Sequence, residues 1–185
     1  MTTDPIKKFI LKDKDNIRIA AAIGEAWPEV REQIAIDFQS RLEIRLKKNL
    51  KGWQFQKAES AYVTDYSGFY FWNTAWADQY WLGLQWELRG ERMVLGVVRD
   101  KENIKRRPFC EKLFNAVKEI QPNARTNSWW EAKALMHSPA SNWRKPEVLW
   151  RMRNDTFLEE VAAQLLELAK ISDPIIRGLV RKYKK

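Results

Sequence analysis

The chain has one cysteine, Cys110, and one histidine, His137, among 185 residues. A single cysteine cannot form an intramolecular disulfide. One cysteine and one histidine fall short of the four ligands of a structural zinc site, so zinc held by sulfur and imidazole within one chain is excluded. Seven glycines and seven prolines are too few for a low-complexity chain or a glycine-rich nucleotide loop. Apolar runs stay well short of the roughly 18 residues that would span a membrane. The opening MTTDPIKKFILKDKDN carries charges on both sides of a very short apolar patch, which is not a signal peptide pattern. These absences predict a cytoplasmic chain in a reducing compartment, with no membrane partner. They leave open only metal sites made of Asp and Glu.

What the chain does have is aromatic surface and positive charge. Seven of its ten tryptophans fall between Trp53 and Trp130, and the net charge is +9. The composition, 45% hydrophobic and 31% charged, is that of a soluble globular domain. A pI near 9.7 favours an acidic partner, either a nucleic acid or an acidic protein surface.

Residues 1–24 show no clear period and read as an N-terminal arm, with Phe9, Ile10 and Leu11 expected to pin it to the body. Residues 25–185 read as one domain. Pro28 suits the first position of a helix, where its missing N–H is not needed. From there Val30, Ile34, Phe38, Leu42 and Leu46 lay an apolar stripe every four residues, and Gly52 suits the stop. The middle is β. Trp53 and Phe55 alternate with glutamines, Asp65 to Gly68 reads as a turn, and FYFWNTAW follows. In QYWLGLQWELRGERMVLGVVRD, Gly90-Glu91 fits a two-residue hairpin turn. That register pairs Trp86 with Leu95 and Leu84 with Val97. It places Tyr80, Leu82, Leu84, Trp86 and Leu88 on one apolar face and leaves Trp81, Gln85, Glu87, Val94 and Val98 on a mixed one. SWWEAKALM reads as a further strand.

Helices follow: one from Pro108 with Phe109, Leu113, Val117 and Ile120 on one side, and a short PEVLWRM. Thr156 to Glu159 matches a capping box and opens a helix that Asp173-Pro174 is expected to break. The order predicts an α+β fold: an antiparallel sheet of about four to five strands with helices packed on one face, a long N-terminal helix and C-terminal helices.

Three basic clusters are candidate binding sites. Arg41, Arg45 and Lys48 share a helix face, extended by Lys47 and Lys51. Lys105, Arg106 and Arg107 form the second. Arg177, Arg181, Lys182, Lys184 and Lys185 form the third. Such density suits phosphates, because each neutralised phosphate releases counterions. The stripe beside Arg41 must face inward, so Arg41, Arg45 and Lys48 are expected to face outward. Trp72, Trp76, Trp81, Trp129 and Trp130 are candidates for stacking on bases. Glu131-Ala132-Lys133 has a spacing found in metal-dependent nucleases, with Asp78, Glu87 and Asp100 as acidic partners, but no acid precedes it at a hairpin turn. No catalytic residue, metal ligand or cofactor site is assigned from these residues.

RLEIRLKKNLKGWQF, the aromatic strand run, QYWLGLQWEL with its hairpin, and WWEAKAL followed by NWRKPEVLW together resemble the C-terminal region of bacterial and phage proteins of the PD-(D/E)xK nuclease superfamily. The likeness covers about 130 residues and lies in the spacing of aromatics. The family's catalytic acids and lysine lie in an N-terminal nuclease core without a counterpart in this chain, so no catalytic residue carries over. The resemblance implies a setting of DNA processing or phage–host conflict. The function expected is a non-enzymatic nucleic-acid-associated or accessory domain. The alternatives are an inhibitor or adaptor of a nucleic-acid-handling complex, and a divergent metal-dependent nuclease.

Overall fold

A computed structural model of the chain describes residues 4–60, 65–77, 79–99, 109–137 and 140–183. The first helices are set by carboxylate caps. Asp4 Oδ1 accepts the Ile6 N–H at 3.0 Å and opens α1, Pro5–Ile10. Asp13 Oδ1 accepts the Asn16 N–H at 2.8 Å and opens α2, Lys14–Lys47. Each satisfies a backbone donor that a helix start leaves orphaned. The helix therefore begins fourteen residues before Pro28, which lies inside it. Proline removes one backbone bond but does not end a helix that a cap and good helix formers such as Ala20, Ala21 and Ala22 already hold.

Phe38, Leu42 and Leu46 of the expected stripe are fully buried, joined by Ala35 and Gln39. Val30 is not, because none of residues 14–33 is buried. The expected boundary after residue 24 thus falls within one continuous helix. Phe9 is 59% exposed and Leu11 74% exposed, so they do not pin the arm to the body.

The sheet has five antiparallel strands in sequence order: β1 Trp53–Gln56, β2 Gly68–Asn73, β3 Tyr80–Glu87, β4 Arg92–Arg99 and β5 Trp130–Leu135. The β3–β4 hairpin forms, but its register differs from the expected one by two residues. Trp86 faces Met93 and Leu84 faces Leu95. The turn is wider, running through Leu88, Arg89 and Gly90, all at positive φ. A tertiary bond holds it open: the Arg89 N–H donates to Asp65 Oδ1 at 2.7 Å. A shift of two leaves the faces unchanged, so Tyr80, Leu82, Leu84 and Trp86 still share the core with Met93, Leu95 and Val97. Leu88 leaves it for the turn and is exposed.

Among the described residues three further helices follow: α3 Glu111–Ile120, α4 Pro146–Met152 and α5 Asp155–Tyr183. Asn154, not Thr156, caps α5, its Oδ1 accepting the Phe157 N–H at 3.0 Å. The helix runs on through Pro174. Ile176 and Val180 beyond the proline are buried in the same core as Leu165 and Leu168 before it. Asp173 is also fixed from outside the helix by the Trp76 indole N–H, 2.9 Å away. Burial on both sides of the proline outweighs one lost bond. Among the described residues the helices pack on one face of the sheet, around Phe38, Trp86, Trp143 and Phe157.

Candidate functional site

Two arginines of the expected basic face of α2 reach across to α5. The Arg41 guanidinium donates to the carbonyls of Arg153 and Asn154 at 3.1 and 3.2 Å, and lies 3.7 Å from Asp155. Arg45 Nε donates to both carboxylate oxygens of Glu159, at 2.6 and 2.8 Å. Hydrogen bonding from Arg45, aided by its charge and that of Lys48, holds the Glu159 carboxyl below the usual range against its partial desolvation. From 41 to 45 on α2 the partners advance from 155 to 159 on α5, so the helices run in the same direction and these arginines clamp them. Arg41 and Arg45 thus lie half-buried at the surface, engaged by the start of α5. Their spacing matches α5 as well as it would match phosphates, and sequence alone does not separate the two.

Lys48 and Lys51 are exposed. Lys47 lies 2.6 Å from Glu43, which Lys57 also approaches at 3.3 Å. Burial pushes the Glu43 carboxyl up, but bonds and charge from the two lysines outweigh it and hold the group below its ordinary value. Arg181 and Lys182 are exposed near the end of α5, while Arg177 is paired with Asp173 at 2.9 Å. Lys105, Arg106 and Arg107 lie outside the described residues, as do Lys184 and Lys185.

Glu131 is 1% exposed. Its carboxylate accepts the Cys110 N–H and lies 3.1 Å from Arg99. Lys133 Nζ instead donates to Glu87 Oε1 at 2.7 Å. The two side chains serve separate partners, and among the described residues no three His, Cys, Asp or Glu side chains converge as metal ligands. His137 is exposed.

The face of the sheet turned away from the described helices gathers several of the remaining candidates. Alternation along the strands sends every second residue there, and the register stacks these residues into cross-strand rows. One row pairs Gln54 with Trp72 on β2 and, from the next strand on, Trp81 on β3 with Val98 on β4 and Trp130 on β5. The next runs Gln56, Tyr70, Gly83, Gly96, Lys133. The third runs Gly68, Gln85, Val94, Leu135.

The glycines in the second row explain how the rings lie. A Cβ on Gly83 would sit 2.7 Å from the Tyr70 ring and 3.5 Å from the Trp130 ring. The Tyr70 ring therefore occupies the space that a side chain at Gly83 would take, with the Trp130 ring at ordinary contact distance beside it. The Tyr70 hydroxyl donates to Gln85 Oε1 at 2.9 Å. Burial, with the Glu87 carboxylate nearby, pushes the phenol up to about 12.

The centre of this face is closed. Gln85, Glu87, Val94 and Trp130 are buried, yet Val94 and Trp130 belong outside the main core cluster. Around it, Trp72 and Trp81 are half-buried, Trp72 also packing against the main core cluster, while Trp129, in the turn before β5, is 46% exposed. Asn127 Oδ1 accepts the N–H groups of both Trp129 and Trp130 at 2.8 and 2.9 Å, which fixes the turn that presents Trp129. Of the five tryptophans singled out for stacking, Trp76 is corrected to the core, where it is fully buried against Trp53. Tyr70 and the glycine pair escaped the sequence reading. Parity would have found Tyr70, since it is even-numbered like Trp72 on the same strand.

No family model, curated protein or solved structure matches the chain.

Proposed function

We propose that this chain is a non-enzymatic, nucleic-acid-associated accessory domain that takes a single strand at the sheet face turned away from its described helices. The observation that carries this reading is a group of tryptophans at one end of the sheet: Trp72 on β2 and Trp81 on the adjacent β3, both half-buried, with the exposed Trp129 in the turn before β5. Every base has a π-face, so indoles with part of their surface open can bind single strands without needing a base code. The net charge of +9 adds attraction to phosphate. Among the described candidates Lys47, Lys48, Lys51, Arg181 and Lys182 are exposed, while Arg41 and Arg45 belong to the α2–α5 clamp. The resemblance to nuclease-superfamily C-terminal regions suggests a setting in DNA processing or phage–host conflict.

The test is a titration of the purified chain with labelled single-stranded and duplex oligonucleotides of one length across a salt series. The reading predicts tighter binding to single strands. It also predicts that log K falls with log salt by about 0.7 per phosphate contacted. Absence of binding at low salt would hand the case to the protein-interaction reading. Cleavage with Mg²⁺ or Mn²⁺, abolished by Glu131→Gln in a folded protein, would hand it to the nuclease reading.

A further inference from the structure

We propose that two copies of this chain pair antiparallel through their N-terminal helices, so that α1 of each copy seats in a groove at the base of the other's arm. Two unpartnered apolar features on one chain motivate this. The first is the arm. Ile19, Ile23, Trp27 and Val30 follow one another at helical spacing and are all exposed. They continue outward the stripe that Phe38, Leu42 and Leu46 bury in the body. At the tip, Ile6 and Phe9 of α1 are exposed as well. Contiguous apolar surface of this kind is rare on a monomer and marks a contact surface.

The second feature is a groove of about 530 Å³ between α2 and α4, with Val30, Ile34 and Met152 as its apolar lining and Asp37, Arg41 and Arg153 as its charged residues. The groove begins where the arm meets the body. From Lys14 to Ile34 an α-helix rises about 30 Å. Helix α1 is only six residues long and sits at the far end of that rise, so it cannot fill the groove of its own chain. In an antiparallel pair it reaches the groove of the other copy, and the exchange is reciprocal, as a two-fold axis requires.

Charge selects this orientation. From Lys7 to Arg18 the arm has five bases (Lys7, Lys8, Lys12, Lys14, Arg18) against two acids, Asp13 and Asp15. From Glu25 to Asp37 it has four acids (Glu25, Glu29, Glu32, Asp37) against one base, Arg31. Antiparallel pairing lays the basic segment along the acidic one twice, once for each chain. Parallel pairing would lay like on like. In α1 itself, Ile6 and Phe9 share one side, which matches the apolar lining of the groove.

The experiment is sedimentation equilibrium of the full chain over a concentration series. The expected result is a mass that rises with concentration towards twice the 22.0 kDa of one chain. Ile23→Glu with Val30→Glu should weaken dimerisation roughly tenfold or more per substitution. Both positions are exposed, so the melting midpoint of the body should not fall. Orientation is read by charge reversal. Lys7→Glu, Lys8→Glu and Lys12→Glu in one chain should weaken its self-association. So should Glu25→Lys, Glu29→Lys and Glu32→Lys in another. Mixing the two chains should restore a dimer made of one copy of each. A chain that stays monomeric at all concentrations overturns the proposal, whether or not its arm captures a different protein. So does a dimer indifferent to the arm substitutions, and so do two charge-reversed chains that fail to pair on mixing.

Discussion

The two faces of the sheet are made of alternate residues of the same strands and have opposite fates. Tyr80, Leu82, Leu84 and Trp86 on β3 are closed under helices, with Trp143 set edge-on to Trp86 at 5.3 Å. Trp81, Gly83, Gln85 and Glu87, their immediate neighbours in sequence, form a face where the Tyr70 ring lies against Gly83 and polar groups pair with one another. The first face is filled mainly by apolar volume. The second is closed at its centre and keeps half-buried tryptophans at its rim. Tryptophan therefore serves two purposes in this chain: Trp76, Trp86 and Trp143 are fully buried, while Trp129 stays open to solvent.

The largest effect should come from breaking the helix-covered face. Trp86→Ala removes a fully buried indole and should cost about 3–5 kcal/mol, read as a fall in the denaturant midpoint. An unchanged midpoint would mean that the core is not centred on this ring.

Why the faces were legible and the register was not follows from the same residues. Alternation in YWLGLQWEL assigns each side chain to a face whatever the turn length, provided the shift is even. The turn was misjudged because Asp65, more than twenty residues away in sequence, holds Arg89. Likewise Pro28 and Pro174 read as helix boundaries by local chemistry. Pro28 is overridden by the cap at Asp13 and Pro174 by burial of Ile176 and Val180. The basic clusters were legible as charge but not as contacts, because the partners of Arg41 and Arg45 lie on a helix more than a hundred residues later. The tryptophan row was half legible: Trp72, Trp81, Trp129 and Trp130 were visible candidates, but their alignment needs the strand order.

The glycines offer the next test. A Cβ on Gly96 would sit 2.0 Å from the Ala132 carbonyl oxygen, which is backbone and cannot turn away. Gly96→Ala should therefore cost about 1–3 kcal/mol or more by forcing β4 from β5. Gly83→Ala meets only the Tyr70 ring and should cost less. The reverse order, read in paired melts, would break this account of the face.

Alkaline pH tests the same face without changing its shape. The Tyr70 phenol is raised to about 12 in the fold, from 10 in a free side chain. A group raised in this way contributes fully below pH 10 and loses its contribution as pH climbs through 12. Stability should drop by on the order of 2 kcal/mol across that window, and Tyr70→Phe should flatten the drop. Identical alkaline profiles would remove the buried phenol from the argument.

The acid side tests the helices and should show the smallest change. Glu43 and Glu159 are held below 4.5 in the fold. Their contribution is present above that value and is lost as pH falls through it towards their lower folded values. Arg45→Ala should make the loss between neutral and acid pH shallower, with a modest size because the pair is open to solvent. An acid profile unaltered by Arg45→Ala would remove the α2–α5 clamp.

The most direct measurement sets the rim against the core. Trp72→Ala and Trp81→Ala should each cost less stability than Trp86→Ala, because these rings are only half-buried, and lower single-strand affinity by about 1–3 kcal/mol, the worth of a base stacked on an aromatic ring. Trp86→Ala, compared under conditions where it remains folded, should bind as the parent does. Affinity that survives loss of both Trp72 and Trp81, or falls equally with Trp86→Ala, would contradict the central claim that the sheet face turned away from the described helices is where this protein meets its ligand.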